Sequence, residues 1–258
     1  MPHQPLTTYK KLCTEFYDLE LKQRSDAPAA LSFFMHYARQ AKGPILEPMC
    51  GTGRFLIPML QAGLDIEGFD ASEYMLAALR QHYAQISNQP APVWQEFVQN
   101  FNNPKLYQLI FVPFGSWGLM ADLETAKQSL EIMSRHLAPG GKLVLEIETI
   151  ASLPQPGGIW RRATHTRPDG SLIALNVLTS YEPSKQLFKS VCRYESIVNN
   201  NIVAVEEEDF YMYLYRFDEM DELLTNAQFK VLEKYQNYKK ESATNPATDI
   251  IIYECTKT

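Results

Sequence analysis

The residues best placed to do chemistry lie in two short stretches. The first is Ile45-Leu46-Glu47-Pro48-Met49-Cys50-Gly51-Thr52-Gly53-Arg54-Phe55, an apolar run and a carboxylate followed by a tight glycine turn and a helical pattern. Gly51 and Gly53 let the backbone turn sharply and lie close against a ligand, where a Cβ would collide. A helix opening at Arg54 or Phe55 would aim its free N–H groups at the same spot. The second stretch, Phe69-Asp70-Ala71-Ser72, ends another predicted strand seventeen residues past Gly53. A carboxylate there can accept hydrogen bonds from both hydroxyls of a ribose. Together the two describe a cradle for a nucleoside cofactor. A Gly-Thr-Gly alone also fits an ordinary strand-to-helix turn. An NAD-type turn needs a third glycine for helix–strand contact, and Leu56 stands in that place.

With the landmarks downstream, these stretches resemble the class I S-adenosylmethionine (SAM)-dependent methyltransferases of small-molecule type, similar to methyltransferase domain 25. That family's first motif is an acidic residue followed by Gly-x-Gly-x-Gly. Here it reads Glu47-x-Met49-x-Gly51-x-Gly53, with Met49 in place of the first glycine. Asp70-Ala71-Ser72-Glu73-Tyr74-Met75-Leu76 resembles the second motif, and Leu137-Ala138-Pro139-Gly140-Gly141 before Leu143-Val144-Leu145 resembles a third. The resemblance implies SAM as cofactor and S-adenosylhomocysteine as product. It assigns Glu47 to the methionine end and Cys50, Gly51 and Gly53 to close backbone approach. Asp70 falls at the ribose, with Ala71 and Met75 beside it. Glu96 and Phe97 fall at the adenine, with Gln99-Asn100 as the alternative, and Phe114 borders the transferred methyl. On the acceptor side it points to Tyr17, Trp117, Tyr211 and Arg216. Tyr17 can equally anchor a helix, and Trp117 can equally pack under its loop.

No catalytic base is identified. Some sugar N-methyltransferases place a histidine in the loop after strand 4, where this chain has Gly118-Leu119-Met120. His36, His82, His136 and His165 read as surface or structural, and no carboxylate or Cys/His cluster has metal-ligand spacing. Two readings compete with methylation of an N or O nucleophile on a small molecule. One is a non-catalytic protein that binds SAM or S-adenosylhomocysteine and uses its β layer to hold a partner. The other is the NAD-dependent oxidoreductase.

The elements that must position these residues follow a βα alternation. Helices occupy the first forty residues, the second over 29–41, capped by Ser25 or Asp26 and with a stripe of Leu31, Phe34, Met35 and Ala38. Strands are predicted at 44–49, 65–69, 92–95, 106–113 and 142–148, with helices at 55–61, after Ser72 to 85, and at 124–137. From 150 the pattern changes. Pro154, Pro156, Gly157 and Gly158 form a linker, and extended runs at 159–166, 172–181, 187–198 and 202–215 form an antiparallel meander. Asp218 caps a helix to 227, and runs at 229–235 and 249–255 close the chain. The expected fold is a Rossmann-like, seven-stranded, mostly parallel sheet flanked by helices, with an antiparallel β insertion after strand 5. Residues 1–149 carry the N-terminal helices and the SAM-binding core. Residues 150–216 form a substrate roof or a homodimer interface, and 217–258 complete the core.

Composition narrows the partners. The 258 residues are 45% apolar, enough for a sizeable core, and carry a net charge of −6. Arg161-Arg162 and Lys239-Lys240 are isolated pairs, so no nucleic-acid footprint is expected. Cys13, Cys50, Cys192 and Cys255 are scattered without Cys-x-x-Cys spacing, which fits a reduced, cytoplasmic chain. Residues Met1 to Pro5 lack a signal pattern, and no apolar run suits a membrane span.

Overall fold

The computed structural model describes residues 6–153 and 157–257. The first five residues, and Pro154 and Pro156 of the expected linker, lie outside the described residues. Seven strands form one sheet: β1 (Ile45–Pro48), β2 (Ile66–Asp70), β3 (Val93–Gln95), β4 (Tyr107–Val112), β5 (Leu137–Glu148), β10 (Phe229–Tyr235) and β11 (Ile250–Lys257). Their order is β10-β11-β5-β4-β1-β2-β3. All neighbours run parallel except β11, which is antiparallel to both β5 and β10. The order reverses between β1 and β4, and loops at the carboxyl ends of strands flanking such a reversal diverge and leave a crevice. Apolar clusters cover both faces of this sheet. That explains the near-continuous apolar run of β4.

Helices α1 (Lys11–Leu21), α2 (Ala27–Gln40), α3 (Leu56–Gln61), α4 (Glu73–Ala84), α5 (Leu123–His136) and α6 (Glu219–Asn226) pack around the sheets. Ser72 caps α4 by accepting from Met75 N, and Asp122 caps α5 by accepting from Thr125 N. Two expected caps are not made. Asp26 precedes α2, but its carboxylate is held by Arg24 at 2.6 and 3.0 Å, and Asp218 before α6 turns to Lys234 at 3.2 Å. In each case a nearby cation outcompetes the helix amides. The buried stripe of α2 is Ala30, Phe33, Phe34, Tyr37 and Ala38, rotated from the expected one, because Phe33 also faces Tyr235 and Tyr238. β5 already begins at Leu137. The expected Pro-Gly-Gly turn is instead a bulge inside the strand, between the pairs Tyr107↔Leu137 and Leu109↔Lys142.

Strands β6 (Trp160–Thr166), β7 (Leu172–Glu182), β8 (Leu187–Val198) and β9 (Asn201–Tyr213) form a separate antiparallel meander in sequential order. One face buries Ile173, Cys192 and Tyr194 against Leu12, Cys13 and Phe16 of α1. The first helix therefore anchors on the insertion rather than on the large sheet. It has no cap of its own. Glu208 of β9 accepts from Tyr9 N and Lys10 N at 2.8 and 2.9 Å, and Glu206 accepts from Leu12 N at 2.6 Å. Amides that a helix leaves unpaired in its first turn are thus satisfied from another sheet.

Candidate functional site

A cavity of about 500 Å³ opens where β1, β2 and β4 end, beneath the edge of the meander. Gly51, Asp70, Ala71, Met75, Glu96, Phe97 and Gln99 line one side, with Tyr17 and Tyr211 among the residues opposite. Loops at the carboxyl ends of the strands meet the N-terminal segment, α1 and β9 here, because the strands diverge at the reversal of the sheet order.

Asp70 is fixed by the backbone around it. Its Oδ2 accepts from Gly51 N at 2.9 Å and its Oδ1 from Ser72 N at 2.8 Å. Burial pushes its carboxyl above the usual range, and these N–H groups pull it back. Each oxygen keeps a further lone pair for a ligand hydroxyl. Gly51 (φ +52°) has open space where a Cβ would be, so its backbone faces the cavity directly. Gly53 (φ +87°) serves packing instead: a Cβ there would sit 2.8 Å from Leu79 and 2.9 Å from Ile57. Met49 adopts φ +58°, so the backbone at the motif's missing glycine keeps a glycine-like turn while the side chain lines the cavity.

Glu47 lies beneath this turn at 1% exposure. Burial pushes its carboxyl well above the usual range, Leu56 N donates to it, and its Oε2 has no hydrogen-bond partner among the described residues. Cys50 is also buried, and burial raises its thiol well above the ordinary value, which makes it inert as a nucleophile. At the opposite end, Glu96 Oε1 accepts from Phe97 N at 3.0 Å. Glu96, Phe97 and Gln99 all line the cavity, so both alternatives for an adenine contact stand side by side.

The remaining predicted residues divide. Tyr17 lines the cavity from α1. Burial pushes its phenol up to about 12, against the pull of Arg54 and Arg24. Tyr211 stands half exposed at the wall, with Lys189 Nζ 5.3 Å from its ring centre. Trp117 does not face the cavity: it is fully buried in the core, and so is Tyr215. The Tyr213 hydroxyl donates to Glu219 at 2.6 Å, and Arg216 is exposed away from the cavity with its backbone N donating to Glu219. Phe114 (φ +60°) lies behind the cavity wall, stacked on Tyr238 at 6.3 Å, with the Arg54 guanidinium 3.7 Å and that of Arg24 4.6 Å from its ring centre.

Two features are not among the sequence expectations. Residues Leu6 to Tyr9 form part of the cavity wall, with Ser72 Oγ donating to Tyr9 O at 2.7 Å. Nothing in a segment without periodicity could have signalled this. Glu146 and Glu148 share one face of β5, as alternate strand residues do. Glu146 accepts from Tyr238 Oη at 3.0 and 3.2 Å, and burial pushes its carboxyl up to about 7. Two glutamates in an otherwise apolar strand were the visible signal. His82 of α4, expected to be surface or structural, reaches Asp18 of α1 at 3.3 Å and ties the first helix to the core.

Residues 45–141 match the family model described as a methyltransferase domain. No curated protein sequence matches the chain. Among solved structures, a SAM-dependent methyltransferase from Clostridium acetobutylicum superposes with a TM-score of 0.77 at 17% identity, covering 94% of this chain and 96% of that one. The sugar N-methyltransferase KedS8 from Streptoalloteichus gives 0.73 at 17% identity over 98% of both chains. DesVI from Streptomyces venezuelae gives 0.72 at 19% identity, over 93% of this chain and 96% of that one. The glycine turn and Asp70 at the end of β2 thus lie in a segment that matches a methyltransferase domain, and the chain as a whole shares the fold of these solved SAM-dependent methyltransferases.

Proposed function

We propose that the protein is a SAM-dependent methyltransferase acting on an N or O nucleophile of a small molecule. The observation that carries this is the Gly51–Asp70 pair, joined by a 2.9 Å hydrogen bond at the wall of a cavity of about 500 Å³, both residues lying in the segment that matches a methyltransferase domain. The residues present fit the cofactor. Gly51 leaves room for close approach, Asp70 has lone pairs to spare, and Glu47, buried beneath the turn, has an oxygen without a hydrogen-bond partner among the described residues. When bound, SAM supplies a methyl group already activated on a sulfonium. The chain's part is then to hold a nucleophile in line and keep water out, and such positioning contributes on the order of 7–11 kcal/mol in favourable cases.

In this reading Asp70 binds the ribose with Ala71 and Met75 beside it, Glu96–Phe97 or Gln99 meets the adenine, and Glu47 serves the methionine end. Tyr17 and Tyr211 face the acceptor from the roof, which residues 150–216 supply. Solved structures of similar fold include a sugar N-methyltransferase and an amino pentose methyltransferase, which supports a small polar acceptor. Self-association through the outer face of the meander, where Trp160 and Val205 are exposed, is the matching quaternary proposal. Among the described residues no helix is long and apolar enough to cross a membrane, and the four cysteines are free and buried; both suit our reading of a cytoplasmic enzyme.

Thermal unfolding with SAM, S-adenosylhomocysteine and NAD in turn tests the cofactor. A ligand at 100 times its Kd adds roughly 2.7 kcal/mol of stability. A raised midpoint with the two adenosyl sulfur compounds and not with NAD is expected; no shift with either compound would sink the proposal. Transfer of labelled methyl across a panel of amines and phenols then separates an enzyme from a protein that only binds.

A further inference from the structure

We infer that the methyl acceptor of this cavity is an amine that carries no phosphate or carboxylate of its own, an inference that rests on the methyltransferase reading above. With Gly51, Asp70 and Glu96 assigned to the cofactor, the walls left to an acceptor include Leu119, Met120 and Asp122 after β4, and Asp209, Phe210 and Tyr211 of β9. The charged groups among these six are both acidic. Among the described residues, no lysine, arginine or histidine lines the cavity. A cleft lined by one sign of charge concentrates ligands of the other sign. An anionic group on the acceptor would enter against that field and lose its water without gaining a counter-charge.

The nearby cations are bound elsewhere or face elsewhere. Lys189 Nζ is held by Asp209 at 2.6 Å, and Lys10 Nζ donates to Glu207 O at 3.1 Å. Arg24 is closed by Asp26 at 2.6 and 3.0 Å. Arg54 lines a separate pocket bounded by α1, α2, α3 and α4. The acceptor walls, in contrast, have capacity for an ammonium group. Asp122 Oδ1 accepts from Thr125 N at 2.8 Å, and the carboxylate keeps further lone pairs for a ligand N–H. The ring face of Tyr211 already receives Lys189 Nζ, 5.3 Å from its centre, so the aromatic edge of β9 takes a cation.

Nitrogen is favoured over oxygen by what the walls can do with a proton. A phenol or alcohol must lose its proton as the new bond forms, which calls for a general base within reach. Tyr17 is kept protonated by its burial, and Asp209 is occupied by Lys189. Asp122, exposed and holding a helix amide, is a weak base toward a hydroxyl. An amine needs no such base. Its lone pair takes the methyl carbon while the carbon–sulfur bonding pair stays on sulfur, and the surplus proton of the product ammonium passes to water. The reactive form is the free amine, in equilibrium with the ammonium that the acidic walls attract.

Transfer of labelled methyl by the full chain to matched acceptors tests this. The amines are 2-phenylethylamine, hexylamine and glucosamine. Their anionic counterparts are phenylalanine, 6-aminohexanoate and glucosamine 6-phosphate, and 4-ethylphenol is the oxygen acceptor. Each amine that is methylated should exceed its counterpart by roughly tenfold in kcat/KM, and 4-ethylphenol should take no label. Asp122→Asn keeps the helix cap and should raise the KM of the amines by roughly three- to fivefold. Asp209→Asn frees Lys189 at the wall and should shrink the preference over the anionic counterparts by roughly threefold. Both variants should hold S-adenosylhomocysteine with a Kd within about twofold of wild type, which a general loss of structure would not allow. Preference for an anionic counterpart or for the phenol overturns the inference. So does transfer to none of the amines, or an unchanged preference in Asp209→Asn, by protein that binds S-adenosylhomocysteine. Wild-type protein that does not bind S-adenosylhomocysteine fails the cofactor reading itself, and the inference falls with it.

Discussion

The large sheet and the meander each place acidic side chains on backbone amides, but over very different stretches of chain. In the core, Asp70 binds Gly51 N and Ser72 N, nineteen and two residues away. In the meander, Glu208 binds Tyr9 N and Lys10 N, 199 and 198 residues away, and Glu206 binds Leu12 N, 194 away. The first arrangement is one βαβ unit folding on itself, so the cofactor cradle can form wherever that unit forms. The second requires both sheets to be in place before α1 can settle over the cavity. Damage to the core should therefore fall on cofactor binding, and damage to the meander on closure of the N-terminal segment.

The sharpest way to break this contrast is Asp70→Ala. Loss of hydrogen bonds to a charged group predicts a fall of roughly 3 kcal/mol, about 100-fold, in affinity for S-adenosylhomocysteine by calorimetry. Retained affinity would remove the aspartate from the site.

Glu146→Gln tests the interior of the large sheet. Burial raises its carboxyl from 4.5 to about 7, with Tyr238, Glu148, Arg24 and Phe114 N around it. A folded-state value above the unfolded one means that the stabilisation is full below pH 4.5 and is lost as pH rises through about 7. The contribution is on the order of 3 kcal/mol. Chemical denaturation across that window should give a flatter pH dependence for the glutamine variant; an identical slope would refute the burial effect.

Gly53→Ala separates packing from binding within the motif itself. A φ of +87° and a Cβ 2.8 Å from Leu79 predict a loss of about 2 kcal/mol in folding stability. At saturating ligand, binding should remain, whereas a variant of full stability that cannot bind would return Gly53 to the cofactor.

On the other side of the comparison, Glu208→Ala removes the acceptor of two amides and should cost about 1–2 kcal/mol. Its signature is faster hydrogen exchange at Tyr9 and Lys10 with unchanged exchange in β4. Equal acceleration in both would mean that the two sheets are one cooperative unit. The smallest effect is expected from His82→Ala. The Asp18 pair is partly exposed, and its loss should cost under about 1 kcal/mol in a denaturant titration.

Much of this architecture was legible in order along the chain. The meander strands were recognisable because alternation with period two and the turns Arg167-Pro168-Asp169-Gly170 and Asn199-Asn200-Asn201 are local signals. So were the glycine turn, Asp70 at its spacing and the Ser72 cap. The helix caps at Asp26 and Asp218 were misread because a side chain that can cap can also pair with a cation, and the presence of Lys234 beside Asp218 is not a local property.

Local patterns along the chain set the order of elements, the alternation that makes the parallel core and its antiparallel insertion, and the two motifs at the carboxyl ends of β1 and β2. Those depend on periods of two and 3.6 and on glycine and capping chemistry, all readable within a few residues. The direction of each side chain at the loops depends instead on packing between distant segments. That packing sent Trp117 into the core and Tyr211 to the wall, stacked Arg54 on Phe114 with its fork open, and gave the first helix its cap from β9. The reason is physical: a loop side chain settles where segments distant in sequence leave it space, a partner or neither.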